Sequence, residues 1–290
     1  QRQMCIRDRT KIAKPDTCVI TNIGTCHLEN LGDRDGVLKV KTEIFQSMKP
    51  NGHIVLNGDD DKLITVREYN GVKPVFFGLN SERDVYADQI ESKGLKGVAC
   101  RIHLGEDAFD VLVPTPGIHM VYNALAAAAV GRIYGLTIEE IRRGIESLET
   151  IRGRFKMIET DKFLVVDDCY NANPMSMKAS LDVLHDGEGR RVAILGDMGE
   201  LGEDEAALHE GVGIHAATCG IDACVCVGDL AVHIAEAARK ANPDFPVYYE
   251  KTRESLLEHL NDYVQKGDTI LVKASHFMKF EEVVKALEEM

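Results

Sequence analysis

Phe163-Leu164-Val165-Val166-Asp167-Asp168-Cys169-Tyr170-Asn171-Ala172-Asn173-Pro174 is an apolar run that stops on two adjacent carboxylates. The run reads as a buried strand. A turn follows, and Pro174 fixes φ where a helix can begin. In open α/β sheets, ligands bind beyond the carboxyl ends of the strands. The segment therefore places Asp167, Asp168, the Tyr170 hydroxyl and the amides of Asn171 and Asn173 where a ribose or phosphate would sit. The same residue types also favour plain turns, so this segment alone leaves a structural reading open.

The pattern downstream repeats the unit. Apolar runs at Val192 to Leu195, Ala223 to Val227, Val247 to Tyr249 and Thr269 to Val272 alternate with helical stretches. That alternation predicts a doubly wound, mostly parallel sheet. Upstream, strands are expected at Thr17 to Ile20, His53 to Leu56 and Pro74 to Phe77, and a helix at Val37 to Met48. Shorter alternating runs at Val85 to Ile90, Val98 to Leu104 and Phe109 to Val113 suggest antiparallel strands added to the sheet. Pro114-Thr115-Pro116-Gly117 breaks the chain before an alanine-rich helix, and Thr137 with Glu140 forms a capping-box signal for another. Gly153 marks the expected domain boundary.

Composition narrows the function. At 290 residues the chain suits about two domains. Its 44% hydrophobic content supports buried cores, and its 28% charged content is that of a soluble protein. No apolar stretch reaches the ~20 residues a membrane-spanning helix needs. A net charge of -13 argues against nucleic-acid binding, which displaces counterions with basic patches. The eight cysteines are scattered rather than paired as zinc ligands, so buried reduced thiols and a cytoplasmic location are expected.

Asp167-Asp168-x-Tyr170-Asn171-Ala172-Asn173-Pro174-x-Ser176-Met177 resembles the start of the C-terminal domain of the Mur ligases. Further segments resemble that family in the same order: Thr21-Asn22-x-Gly24-x-x-His27-Leu28-Glu29, Leu56-Asn57-Gly58-Asp59-Asp60, Gly196-Asp197-Met198-Gly199-Glu200-Leu201-Gly202, and Lys273-Ala274-Ser275 with Met278-Lys279-Phe280-Glu281. Among members, the branch that joins D-Ala-D-Ala to UDP-MurNAc-tripeptide agrees best. The resemblance implies an α/β fold in two parts. Residues 10–152 would be the later part of a central ATPase domain, and residues 153–290 a Rossmann-like, doubly wound C-terminal domain. Residues 1–9 match nothing in the family and are expected to be a non-native leader. The 290 residues contain no Gly-x-x-x-x-Gly-Lys-Ser/Thr phosphate loop. The family carries that loop early in its central domain, so the chain is expected to be a fragment that is inactive alone.

ATP and Mg²⁺ are the implied cofactors, and UDP-MurNAc-tripeptide and D-Ala-D-Ala the implied substrates. A cytoplasmic monomer is expected, with no nucleic-acid or membrane partner. His27, beyond the strand ending near Thr21, has an imidazole able to ligate a metal, and the matching family residue helps to hold Mg²⁺. Lys41 alone reads as part of a basic helix face beside Lys39. In Lys41-Thr42-Glu43-Ile44-Phe45, however, it matches a lysine that several Mur ligases carbamylate to bind a second Mg²⁺. Asn57 would lie near the nucleotide and Asn123 near the adenine, with Met120 replacing a family asparagine. Asp168 and Tyr170 would also serve the nucleotide. Arg154 would meet the γ-phosphate, or else form a salt bridge at the domain joint. Lys273, Ser275 and Asn173 would face the incoming substrate, and His276-Phe277 departs from the family's Arg-Gly. Two rivals remain: another ligase of the superfamily such as a folylpolyglutamate synthase, and a non-catalytic nucleotide-binding α/β module.

Overall fold

A computed structural model of the chain describes residues 6–24 and 33–290. It divides into two compact units, Gln1–Leu148 and Glu149–Met290. Each holds a six-stranded sheet.

The first unit opens with helix α1 (Ile6–Ala13). Strands β1 (Thr17–Ile20), β2 (His53–Asn57), β3 (Val75–Gly78) and β4 (Val85–Ser92) lie in that order and pair in parallel. Strands β5 (Val98–Leu104) and β6 (Asp107–Val113) extend the sheet antiparallel. The alternation seen in the sequence fits this edge, since Val98, Cys100, Ile102 and Leu104 are buried while their neighbours are not. The helix expected at Val37 to Met48 starts earlier and ends sooner. Helix α2 spans Arg34–Thr42 and Glu43–Ser47 is a 3₁₀ turn. Asp33 caps the start by accepting the Gly36 N–H. At the end the Thr42 hydroxyl bonds back to the Leu38 and Lys39 carbonyls, which competes with regular helix. Helix α3 (Ile118–Ile133) and α4 (Ile138–Glu146) close the unit, and the Thr137–Glu140 capping box is formed.

In the second unit the strands are β7 (Lys156–Glu159), β8 (Leu164–Asp167), β9 (Arg191–Gly196), β10 (Ala223–Val227), β11 (Val247–Glu250) and β12 (Thr269–Lys273). Their spatial order is β11-β10-β9-β12-β8-β7, parallel except for the short edge strand β7. Helices α5 (Pro174–His185), α6 (Glu205–Thr218), α7 (Ala231–Ala241), α8 (Arg253–Tyr263) and α9 (Glu281–Glu289) fill the connections. Side chains alternate across a strand. Val165, Ile194, Val225 and Ile270 accordingly share one core with Leu256 and Leu260 of α8 and Val283 and Leu287 of α9. The chain leaves β8 for β9, runs out to β11, and returns to insert β12 between β8 and β9. The loops after β8 and β12 thus lead to helices on opposite faces, which opens a crevice at the carboxyl edge.

All six cysteines among the described residues are free thiols. Burial pushes Cys18 and Cys100 up to about 11, so they are inert core residues. Among the described residues no helix is long and apolar enough to cross a membrane.

Candidate active site

Strands β9, β12 and β8 are adjacent and end level with one another. Their three following loops therefore share the crevice edge. Asn173 caps α5 by accepting the Ser176 N–H at 2.9 Å, with Pro174 at the first helical position. This geometry ends the loop that carries Asp168, Tyr170 and Asn171.

The two adjacent carboxylates do different things. Asp167 is buried; its Oδ2 accepts the Gly153 N–H at 2.8 Å and its Oδ1 accepts the Cys169 thiol at 3.0 Å. Asp168 turns the other way. Its Oδ2 accepts Lys273 Nζ at 2.5 Å and the Ser180 hydroxyl at 2.8 Å. Lys273 also donates to the Asn171 carbonyl at 3.2 Å. Lys273 and Asp168 are thus brought together, with the lysine engaged inside the protein.

Arg154 stands beside them. Gly153 adopts φ +77°, where a side chain would meet Tyr170 at 3.1 Å, and its carbonyl accepts the Tyr170 N–H. Phe155 follows at φ 55°, a strained value for a bulky residue. These two left-handed residues set the Arg154 guanidinium 4.1 Å from the centre of the Tyr170 ring. That distance is within reach of cation–π attraction. Arg154 makes no ion pair among the described residues, whereas Arg152 pairs with Glu288. The His276 ring lies 5.5 Å from that of Tyr170. Ser275 Oγ accepts the Gly199 N–H at 2.9 Å, tying two of the loops together.

Gly196-Asp197-Met198 reaches the same edge with Asp197 turned inward. Its carboxylate accepts the N–H groups of Asp229, Leu230 and Ala231 at the start of α7. That helix terminus, a ready anion site in this fold, is filled by the protein's own carboxylate. Burial raises the pKa of Asp197 even though these bonds act in the opposite direction. Beneath it, the fully buried His209 accepts the Met198 N–H at Nε2, while Nδ1 lies 2.7 Å from the Glu205 carbonyl. An amide can only donate, so Nε2 must be bare and the imidazole neutral. Burial lowers the His209 pKa below its usual 6.5. The folded protein therefore resists a proton that the unfolded chain accepts, and stability falls as pH drops below about 6.5. His209→Leu should flatten this acid limb, measured by urea unfolding between pH 7 and 5. The parent's limb should be steeper by up to ~1.4 kcal/mol per pH unit; identical slopes would rule out this role for His209.

In the first unit, Asn57 Nδ2 donates to the Thr21 carbonyl and its Oδ1 accepts the Asp59 N–H. Asp59 is held by Leu79 N–H, Arg83 and Tyr122, and Asp60 accepts the N–H groups of Ile23, Lys62 and Leu63. This turn is internally satisfied. The amide of exposed Asn123 contacts Met120 Sδ at 3.4 Å, at a cleft of about 490 Å³ between α3 and α4. Lys41 Nζ donates to the Asn22 carbonyl at 2.8 Å. His27 lies outside the described residues. Among the described residues no three His, Cys, Asp or Glu side chains converge as a metal site. An ammonium on Lys41 is a donor and not a ligand.

A family model described as the Mur ligase middle domain matches residues 3–131, and one described as the Mur ligase, glutamate ligase domain matches residues 153–276. The chain belongs to the Mur ligase family. It is 35% identical, over 97% of its length, to the UDP-N-acetylmuramoyl-tripeptide--D-alanyl-D-alanine ligase of Bacillus subtilis, and covers 61% of that protein. MurF from Acinetobacter baumannii superposes with a TM-score of 0.87 at 32% identity, over 98% of this chain and 62% of that one. MurF ligase from Thermotoga maritima, solved in complex with ADP, superposes at 0.82 with 27% identity, over 98% and 64%. The chain thus spans about three fifths of the length of these Mur ligases. Residues that the sequence reading missed are Ser180, which supports Asp168, and His209, which supports the Asp197 turn. Ser180 sits one helical turn beyond Ser176, so its position on the loop-facing side of α5 was available from spacing.

Proposed function

We propose that this Mur ligase chain serves ATP-dependent amide-bond formation, joining D-Ala-D-Ala to UDP-MurNAc-tripeptide in peptidoglycan precursor synthesis. The observation behind the reading is sustained similarity to a ligase named for that reaction, 35% over 97% of the chain. ATP would phosphorylate the terminal carboxylate of the tripeptide. The D-Ala-D-Ala amine would attack the acyl phosphate, and the tetrahedral intermediate would collapse to amide and phosphate, with ADP as the other product. Stabilising charge on the transferred phosphoryl group is the main demand of such chemistry.

Arg154 suits that demand. Its guanidinium is permanently charged, makes no ion pair among the described residues, and is oriented by Tyr170. In this reading Asn123 meets the adenine, Asn57 shapes the loop beside the nucleotide, and Asp168 takes the ribose. Ser275 and Asn173 border the acceptor site, where the sequence also placed Lys273. His27 and a carbamylated Lys41 would be the Mg²⁺ ligands. The protein would work in the cytoplasm, where ATP is available, as a monomer.

The test is phosphate release by the full-length polypeptide carrying these residues. Release should require both UDP-MurNAc-tripeptide and D-Ala-D-Ala. Activity with a folate and glutamate instead would favour the folylpolyglutamate synthase alternative, and release with neither pair would reject the ligase reading. The 290 residues alone contain no phosphate loop and are expected to release none.

A further inference from the structure

Asp168 is held by one oxygen only. Lys273 Nζ and Ser180 Oγ both bind Oδ2, at 2.5 and 2.8 Å. Oδ1 has no partner among the described residues, and the side chain keeps 16% of its surface exposed. Lys273, by contrast, is 3% exposed and Ser180 4%. The two donors come from different elements, β12 and α5, and the single Ser180 hydroxyl proton is shared between Asp168 Oδ2 and the Ser176 carbonyl, each 2.8 Å away. A carboxylate turns easily about its last torsion. Two donors on one oxygen remove that freedom.

We propose that Lys273 and Ser180 are positioning residues that fix Asp168 with Oδ1 alone facing the crevice, as a hydrogen-bond acceptor for a ribose hydroxyl of the nucleotide. The inference rests on the ligase reading above. It gives Lys273 a task through Asp168 instead of through the incoming substrate. A preorganised acceptor avoids the ordering cost that a free carboxylate would meet on binding.

The experiment is steady-state kinetics of the full-length enzyme with ATP and with deoxy analogues lacking either ribose hydroxyl. Parent, Ser180→Ala, Asp168→Asn and the double variant are compared. Ser180→Ala should raise the KM for ATP roughly 3- to 10-fold, the range of a typical net hydrogen-bond contribution, and leave kcat little changed. It should also reduce the discrimination between ATP and one deoxy analogue. In the Asp168→Asn background it should add nothing, because the two residues act as one. A purely structural serine would lower thermal stability and leave KM and analogue discrimination unmoved, which would overturn the inference. So would independent, multiplicative effects in the double variant. A parent enzyme without D-Ala-D-Ala-dependent turnover would remove the ligase reading and this inference with it, an outcome distinct from the other two.

Discussion

Asp197→Ala should destabilise the second unit by about 3 kcal/mol, combining the loss of a helix cap with that of charged hydrogen bonds. Three successive N–H groups at the start of α7 depend on this side chain, at 3.1, 3.0 and 2.7 Å. The residue preceding α7, Leu230, offers no side-chain cap, and Asp197 is only 7% exposed, so water is a poor substitute. Asp197→Asn should lose less. Its Oδ1 can still accept the Leu230 and Ala231 N–H groups, but its NH₂ faces the donor of Asp229. Gly228 makes the approach possible: at φ +125°, a Cβ there would lie 2.3 Å from Asp197 Oδ1. Gly228→Ala should therefore be destabilising as well, and combining it with Asp197→Ala should lose less than the sum, since both disrupt one contact. Urea unfolding followed by a probe in the second unit measures this. A loss under 1 kcal/mol for Asp197→Ala would show that the cap is dispensable.

This carboxylate also shows where sequence reading stops. Gly196-Asp197-Met198-Gly199 follows a strand, so its place on the binding edge was legible from the β-α-β pattern. The direction of the side chain was not, because it depends on β10 and α7, about thirty residues later. The same holds for Asp167 and Asp168, neighbours whose side chains leave a strand end on opposite sides. Asp167 pins Gly153 and Asp168 faces Lys273. The parallel strands, the antiparallel extension and the capping box were readable because their signals are local: apolar period, turn residues and spacing. The edge strand β7 was missed because Lys156–Glu159 is only four residues long and half exposed. Helix α1 was missed where residues up to Arg9 had been read as a leader. In the first unit Asn57 looks like a ligand group in sequence; its bonds to the Thr21 carbonyl and from the Asp59 N–H are revealed only by the fold.

The buried ion pair at the crevice makes the other large effect expected, and it bears on how an Asp168 variant must be interpreted. Taken as an exposed turn residue, Asp168 could lose its charge at little cost to stability. Its partner forbids that, because Lys273 is 3% exposed and Asp168 is the only carboxylate it pairs with among the described residues. Asp168→Ala leaves an ammonium with one carbonyl, that of Asn171, and should destabilise by ~3–5 kcal/mol, the range for breaking a buried pair from one side. Lys273→Met should be milder. The carboxylate it leaves behind still accepts Ser180 and reaches solvent through Oδ1. The double variant Asp168→Ala/Lys273→Met carries no orphaned charge, and should be more stable than Asp168→Ala alone by at least ~1 kcal/mol, since apolar replacement of a whole buried pair is often close to neutral. Denaturant midpoints of the four proteins form a complete cycle. Additive losses, or a greater loss for Lys273→Met than for Asp168→Ala, would mean that the pair does not govern the stability of this edge. A recovered double variant would have the opposite meaning. Kinetic effects of Asp168→Ala would then have to be corrected for unfolding, and milder variants such as Ser180→Ala become the proper probes of the carboxylate's part in nucleotide binding.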